Sequence, residues 1–374
     1  MADCTAYVGL DVHQDTIFVA VARDMEEVVS HGPIENSEGA IRRVVRRLAA
    51  RHDRVCLTYE AGPCGYGIYR LVKRMGHSCL VAAPSMIPRR PGDRIKTDRR
   101  DAMTLARLLR SGDLTGVWVP DPHHEAVREL VRCRDDFKQA ERRCRQRLCS
   151  LVLRHGRRYG RKHWTREHWR WLRKQRFDIH ELQVAFDEAV WAVQEAQERV
   201  GQMEARMVEA LEDWSLEPLV RALMAMRGVG EVTAMTLVAE LGDLSRFRSP
   251  RELMAFVGMV PREHSSGQMR RQGGITKNGN RHVRRVLTES AWAYRHKPAW
   301  TRSLRKRAAE VSEAVGVIAW KAQKRLHSRY RRLMARGKRS QVVITAVARE
   351  ELGFIWAIGQ QVMQEQREQY PSKV

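Results

Sequence analysis

No stretch of the 374-residue chain approaches the ~18 consecutive apolar residues that cross a bilayer, and no charged-then-apolar signal segment opens it. A membrane protein is therefore not indicated, and the sequence reads as soluble and cytoplasmic. Paired cysteine is lacking too: the seven present (Cys4, Cys56, Cys64, Cys79, Cys133, Cys144, Cys149) are odd in number, scattered, and never spaced Cys-x-x-Cys. That pattern argues against a disulfide framework and a zinc site, leaving reduced thiols. Cys133, Cys144 and Cys149 share a helical stretch, but no histidine stands at ligand spacing from them. Acidic charge is the third shortage, with 44 Asp and Glu against 68 Lys and Arg and a formal net charge of +24. A field of that sign draws in a polyanion over long range, and nucleic acid is the obvious one.

The chain exceeds one typical domain of ~100 to 200 residues, so two or three folding units are expected, each with its own core. Ala6 to His13 and Thr16 to Asp24 are short runs rich in β-branched and aromatic residues, separated by two polar residues, the signature of a hairpin. A third strand is expected near Glu27 to Ile34. Ser37 then fits an N-cap, and Ile41, Val44, Val45 and Leu48 keep a helical period to about His52. A strand (Arg54 to Tyr59), a helix (Tyr66 to Met75), a strand (Ser78 to Ala83) and a helix from about Arg100 to Arg110 follow. Strands first and helices interleaved afterwards predict an α/β domain with a mixed sheet over residues 1–120.

From Pro122 the pattern changes to long helices with Val127, Leu130, Val131, Phe137, Leu148, Leu151 and Val152 at heptad-like intervals, predicting a helical coiled-coil arm over 121–215. Within it, Glu141 to Arg176 carries 14 Lys or Arg and only two acids, with Tyr159, Trp164, Trp169 and Trp171 interspersed and Gly156 and Gly160 as breaks. Cations mixed with aromatics suit backbone neutralisation and base stacking, which singles out Arg157, Arg158, Arg161, Lys162, Trp164 and Trp169. The same pattern also fits a solvated helix face anchored to a core by its tryptophans. An amphipathic helix from Ile179 to about Asp213 would pair antiparallel with the first, or join two protomers.

Beyond Trp214 a mainly α-helical domain is expected over 216–365, with helices near Leu219 to Met226, Glu231 to Leu241, Ser249 to Val257, Asn280 to His296, Leu304 to Met334 and Val342 to Ile358. Residues 366–374 read as a disordered tail. Met226-Arg-Gly-Val-Gly-Glu-Val-Thr has the form of a helix-hairpin-helix turn whose glycines let amides approach a phosphate, and equally of a tight turn in any helical domain.

Four acids stand out. Asp11 ends the first strand, Glu60 ends another apolar strand, and Asp98 and Asp101 open a helix with both carboxylates on one face at i, i+3 spacing. Each alone has a plain explanation: a turn cap, an arginine partner, or complement to a helix N-terminus. Together they would form a cluster that is costly unless cations neutralise it, and hard oxygen donors of this kind suit Mg²⁺, one ion or two.

Gly-Leu-Asp-Val at 9–12, Tyr-Glu-Ala-Gly at 59–62 and Lys-Thr-Asp-Arg-Arg-Asp-Ala at 96–102 resemble the DEDD motifs of the Piv-type insertion-sequence transposases, whose N-terminal domain is RuvC-like (RNase H-like). Met226-Arg-Gly-Val-Gly, Phe256-Val-Gly-Met-Val-Pro-Arg, Ser265-Ser-Gly and Ile275-Thr-Lys-Asn-Gly-Asn-Arg-His-Val-Arg-Arg look like that family's second transposase domain. The resemblance covers nearly the whole chain in the expected order. It implies that Asp11, Glu60, Asp98 and Asp101 bind Mg²⁺ and that Ser266 attacks the DNA phosphodiester to give a covalent phosphoserine intermediate. It further implies composite sites in a dimer or tetramer, a structured noncoding bridge RNA that selects donor and target DNA, and a bacterial cytoplasm as the setting.

Read from its residues alone, Ser266 is an ordinary surface serine beside an equivalent Ser265, and the motif alignment is what favours it. Arg262, Arg270, Arg271, Lys277, Arg281, Arg284 and Arg285 surround it in sequence, and a loop containing Gly267, Gly273 and Gly274 would present it to a phosphate held by those cations. Its hydroxyl needs activation, from the nearby His264 or, more economically, from the metal environment. Two other readings keep part of this picture: a structure-selective nuclease with water as nucleophile, and a nucleic-acid-binding scaffold without chemistry.

Overall fold

The structure, a computed structural model, describes residues 5–23, 26–88, 97–266 and 269–369. Cys4, Lys96, Gly267 and residues 370–374 of the expected tail lie outside the described residues, as do the side chains of His264, Ser265 and Arg270. The chain forms two compact units, one through Val119 and one from Pro120.

The first unit runs β1 (Thr5–Val12), β2 (Thr16–Arg23), β3 (Val29–Glu35), α1 (Glu38–Ala49), β4 (Arg54–Glu60), α2 (Gly67–Arg74), β5 (Ser78–Ala82) and α3 (Asp98–Ser111). The sheet order is β3-β2-β1-β4-β5, with β1 antiparallel to β2 and parallel to β4, so the sheet is mixed as expected. Alternation along each strand divides its two faces. Ala6, Val8 and Leu10 pack with Ile17, Val19 and Val21 against Ile41, Val45 and Leu48 of α1 and Ile68, Leu71 and Val72 of α2. The opposite face is built from small residues: Ala20 and Ala22 meet Ala102 and Ala106 of α3. Gly9 belongs to that face, and a Cβ there would stand 2.1 Å from the Ala102 carbonyl oxygen and 2.4 Å from the Ala106 amide nitrogen. Only glycine lets α3 lie this close to β1.

The second unit opens with α4 (Pro122–Arg154), α5 (Arg166–Arg173) and α6 (His180–Glu212). Asp121 caps α4, accepting from the His124 amide at 2.8 Å, a bond worth about 1 kcal/mol at such a position. Val127 and Val131 share a core with Met207 and Leu211, while Leu148 and Val152 share one with Phe186 and Val193, so α4 and α6 run antiparallel. Then come α7 (Glu217–Met224), α8 (Glu231–Leu241), α9 (Pro250–Val257), a hairpin of β6 (Pro261–Ser266) and β7 (Met269–Ile275), α10 (Arg281–Ala291), α11 (Arg302–Ala308), α12 (Glu313–Ala335) and α13 (Ser340–Gln369). Most of these helices bury one shared core that includes Leu223, Leu237, Leu287, Leu326 and Ile355.

Three sequence expectations change here. The stretch after Pro261, read as a flexible loop, is a two-stranded hairpin. The single basic helix from Leu304 is two helices, because Ser312 caps a new start by accepting from the Val315 amide at 3.3 Å. The closing helix runs beyond Ile358 to Gln369, where Ser312 Oγ donates to Glu365 at 2.6 Å and Gln361 and Gln364 make i, i+4 bonds to Glu365 and Glu368. Among the described residues no helix is long and apolar enough to cross a membrane, and Cys56, Cys64, Cys79, Cys133, Cys144 and Cys149 are free thiols.

Candidate active site

Asp11 stands two residues beyond Gly9 on the face covered by α3, and the close approach permitted by Gly9 brings the N-terminal turn of α3 towards it. Thr97 caps that turn, accepting from the Arg100 amide at 3.3 Å, with Asp98 first in the helix and Asp101 one turn on. His13 bridges the strand end and the helix start: its Nε2 lies 3.2 Å from Asp11 Oδ2 and 3.5 Å from Asp98 Oδ1. Ligand atoms of Asp11, His13 and Asp98 all fall within 4.8 Å of one another. Asn36 fixes the turn that carries His13, donating from Nδ2 to the His13 carbonyl at 2.7 Å and the Gln14 carbonyl at 3.2 Å.

Burial pushes the Asp11 carboxyl above its ordinary range, His13 opposes the rise, and the charges of Asp101 and Asp98 add to it. Desolvation plus like charge is the condition that a cation relieves. Glu60 is exposed at the end of β4. Leu10 pairs in register with Tyr59, so Asp11 and Glu60 are the next residues on adjacent parallel strands, whose spacing is about 4.8 Å. The structure thus groups Asp11 with Asp98, sets Asp101 within electrostatic reach, and leaves Glu60 at the neighbouring strand end outside the three-residue group. His13 is not among the residues that the sequence singles out; its i+2 spacing from Asp11 is the available signal. The donor set, carboxylates with one imidazole, suits a divalent metal ion.

Ser266 ends β6, exposed, paired with Met269 across the hairpin. Arg262, Arg271, Lys277 and Arg281 are also exposed. The hairpin's base is held rigidly. A Cβ on Gly258 would stand 1.6 Å from the Asn278 carbonyl oxygen, and one on Gly279 2.0 Å from that of Phe256, so the two segments flanking the hairpin touch backbone to backbone. The Thr276 amide donates to the Val260 carbonyl at 2.9 Å, and the Lys277 amide to that of Gly258 at 3.0 Å.

A buried ionic network then ties the start of α10 to α4 and α8. Arg132 grips Glu240 through Nε at 2.8 Å and Nη2 at 3.0 Å, and Asn280 Nδ2 donates to the same carboxylate at 2.5 Å. His282 Nδ1 donates to Asp135 at 2.9 Å, and Arg285 Nη2 does so at 2.6 Å. Burial would raise both carboxyls, but the hydrogen bond from His282 with the charge of Arg285, and the bonds and charge of Arg132 with Asn280, hold Asp135 and Glu240 below the usual range. Arg284 donates to the carbonyls of Val257 at 2.8 Å and Asn278 at 3.2 Å. Arg284 and Arg285 are therefore committed to internal partners.

At the far end of the α4–α6 pair, Leu148, Val152, Leu172, Phe186 and Val193 form a small core with Trp164, Trp169 and Trp171 packed partly buried against it. The Arg145 guanidinium lies 4.8 Å from the Trp164 ring centre, and that of Arg157 lies 4.7 Å from the Phe177 ring. Arg157 also bonds the Arg176 carbonyl. Arg158, Arg161 and Lys162 are exposed. In the turn between α7 and α8, Gly228 has φ +85° and presses on the Ser290 carbonyl, where a Cβ would come within 2.5 Å. That glycine closes a helix–helix contact.

Residues 8–156 match the IS110-type DEDD family described as "Transposase", and residues 220–306 match the "Transposase IS116/IS110/IS902 family". The chain is 48% identical over 362 residues to y4qE of Sinorhizobium fredii, a protein that bears the name transposase, covering 96% of this chain and 90% of that one. It is 32% identical over 339 residues to the transposase for insertion sequence element IS1533 of Leptospira borgpetersenii, covering 89% and 98%. The pilin gene-inverting protein of Moraxella bovis is 24% identical over 200 residues, 52% of each chain. An α/β unit with an acidic site, a largely helical remainder and relatives of this kind define an insertion-sequence transposase, a DNA-processing enzyme. Within that class the chain belongs to the IS116/IS110/IS902 family.

Proposed function

We propose that this transposase cuts and rejoins DNA strands through Ser266, with Asp11, Glu60, Asp98 and Asp101 holding Mg²⁺, and that a structured bridge RNA selects its donor and target DNA. The observation that carries the reading is the convergence of Asp11, Asp98 and Asp101 beside the Glu60 strand end. The strand order β3-β2-β1-β4-β5 supports a RuvC-like assignment for the first unit, and the antiparallel α4–α6 pair supports a coiled-coil arm over 121–215, followed by the serine domain to about residue 365. Bound metal would supply Lewis-acid stabilisation of the reacting phosphate.

The chain's own residues have defined tasks. The acids hold the ion and His13 spans two of them. The hairpin, braced by the Asp135 and Glu240 networks, presents the Ser266 hydroxyl. Its oxygen would form the bond to phosphorus as the 3′ or 5′ oxygen of the cut strand departs with a proton, and reversal of the same exchange would rejoin the strand. Arg262, Arg270, Arg271, Lys277 and Arg281 would neutralise nearby phosphates, as would Arg158, Arg161 and Lys162 at the arm's tip. Composite sites in a dimer or tetramer, with acids and serine from different protomers, and a cytoplasmic setting belong to the same reading.

The test is to incubate the protein, Mg²⁺, its flanking noncoding RNA and end-labelled donor DNA, and to seek a protein–DNA adduct on a denaturing gel. An adduct lost in both Ser266→Ala and Asp11→Ala is the expected result. Cleavage without adduct, indifferent to Ser266→Ala, would replace this reading with hydrolysis by a metal-dependent nuclease. Nucleic-acid binding with no cleavage, unaltered by Asp11→Ala, would replace it with a scaffold.

A further inference from the structure

We infer that His13 is a ligand of the metal held by the acidic site, and that its imidazole gives the site a preference for Mn²⁺ over Mg²⁺. The inference rests on the proposed metal site and adds to it a residue outside the four acids.

The geometry comes first. An octahedral ion with ligands at 2.0–2.2 Å has neighbouring donor atoms about 3 Å apart. His13 Nε2 hydrogen-bonds Asp11 Oδ2 at 3.2 Å and stands 3.5 Å from Asp98 Oδ1, separations close to those of adjacent vertices on one coordination sphere, so that ligation would exchange the Nε2 proton for the ion. Asp11 Oδ2, His13 Nε2 and Asp98 Oδ1 come from three different places: a strand end, the turn after it, and the first residue of a helix. Each place is fixed independently. Asp11 lies in the β1–β2 register opposite Phe18, the His13 backbone is pinned by Asn36, and Asp98 sits behind the Thr97 cap. The imidazole therefore reaches the carboxylates from a braced turn. Its side chain is 50% exposed and that of Asp98 48% exposed, so the remaining coordination positions open to water and to substrate phosphate.

The chemistry follows from the donor type. A site of carboxylates and water alone suits Mg²⁺ and Mn²⁺ alike, whereas a neutral imidazole nitrogen binds first-row transition ions better than it binds Mg²⁺. Ligation uses the tautomer with hydrogen on Nδ1 and the Nε2 lone pair directed at the ion. Replacing His13 by glutamine leaves an amide oxygen at a similar reach, which removes nitrogen while retaining a hard donor. Replacing it by alanine removes the ligand altogether.

The experiment measures binding on the full-length protein by isothermal titration with MnCl₂ and with MgCl₂, for the wild type, His13→Ala, His13→Gln and Asp11→Ala. Pulsed electron paramagnetic resonance of the Mn²⁺-loaded proteins then looks for nitrogen coupled directly to the ion. The expected result is at least tenfold tighter binding of Mn²⁺ than Mg²⁺ in the wild type, and a nitrogen coupling present there and absent from His13→Gln and Asp11→Ala. His13→Gln should lose most of the Mn²⁺ preference while changing Mg²⁺ affinity less than about threefold. His13→Ala should weaken Mn²⁺ more than Mg²⁺, with the melting temperature of the metal-free protein unchanged. Metal bound in an Asp11-dependent way, with the same Mn²⁺ to Mg²⁺ ratio and the same spectrum in the His13 variants, would overturn the role of His13 and leave the acidic site standing. A wild type that binds neither ion would overturn both.

Discussion

Glu351 is fully buried in α13, and its carboxylate accepts from Ser290 Oγ of α10 at 2.9 and 3.0 Å. Burial pushes this carboxyl up to about 8 from an ordinary 4.5, and the Ser290 hydroxyl only partly offsets the rise. The consequence for stability has a definite sign. Below pH 4.5 both folded and unfolded chains hold the proton, and the group is neutral in its effect. Between pH 4.5 and 8 the unfolded chain releases the proton while the folded chain retains it, so this group's contribution to stability falls steadily as pH rises. Glu351→Gln fills the same space without an ionisable proton. Its melting temperature is expected to match the wild type near pH 4.5 and to exceed it at pH 8, measured by calorimetry across that range. A variant less stable than the wild type by a constant amount at every pH would mean that the side chain matters for its bonds and not for its proton.

At the scale of elements, the spacing between β1 and α3 decides whether the acids can meet. With the Ala102 carbonyl oxygen 2.1 Å and the Ala106 amide nitrogen 2.4 Å from a Cβ at position 9, Gly9→Ala must displace the helix, because both obstacles are backbone. Overpacking of this kind costs about 1–3 kcal/mol. The expected outcome is a fall in unfolding free energy of that size in urea titrations, accompanied by weaker metal binding as Asp98 and Asp101 ride away with α3. Unchanged stability and metal affinity would show that the helix does not set the site. Such a close approach explains what the sequence could and could not disclose. The strands of the first unit and the long α4 and α6 were legible because their apolar residues repeat every two residues or at helical intervals, and Asp11, Asp98 and Asp101, which the structure brings near one another, stand out in the sequence because each lies near the end or start of such an element. The β6–β7 hairpin was not: its strands, Pro-Arg-Glu-His-Ser-Ser and Met-Arg-Arg-Gln-Gly-Gly-Ile, hold one β-branched residue between them. His13 escaped notice because a lone histidine gains meaning only when a helix from 85 residues later in the chain (98 − 13) brings a carboxylate to it.

For the molecule as a whole, a net charge of +24 says that polyanions will bind but not which cations touch them. The structure sorts those cations. Arg157, Arg284 and Arg285 are held by carbonyls, an aromatic ring and a carboxylate, partnerships that no local sequence pattern encodes because they join positions far apart in the chain. Arg158, Arg161 and Lys162 face solvent. The two groups should therefore fail differently when neutralised. Each phosphate that loses its neutralising cation lowers the slope of log K against log salt by about 0.9 on duplex DNA and about 0.7 on a single strand. Replacing Arg158, Arg161 and Lys162 together by alanine is expected to reduce that slope by about two to three in fluorescence-anisotropy titrations over a range of salt, and to leave the melting temperature in place. Arg285→Ala should do the reverse: Asp135, 5% exposed as a side chain, loses one cation while keeping His282 and Arg134, so the cost falls below the ~3–5 kcal/mol of a buried charge left with no partner. Its melting temperature should drop while the salt slope of the protein that remains folded stays near that of the wild type. If the triple variant kept the wild-type slope, the tip of the arm would not be a phosphate-binding surface, and the charge that attracts nucleic acid would act through other exposed cations, such as Arg262, Arg271, Lys277 and Arg281 around the Ser266 hairpin or Arg43, Arg46 and Arg47 of α1.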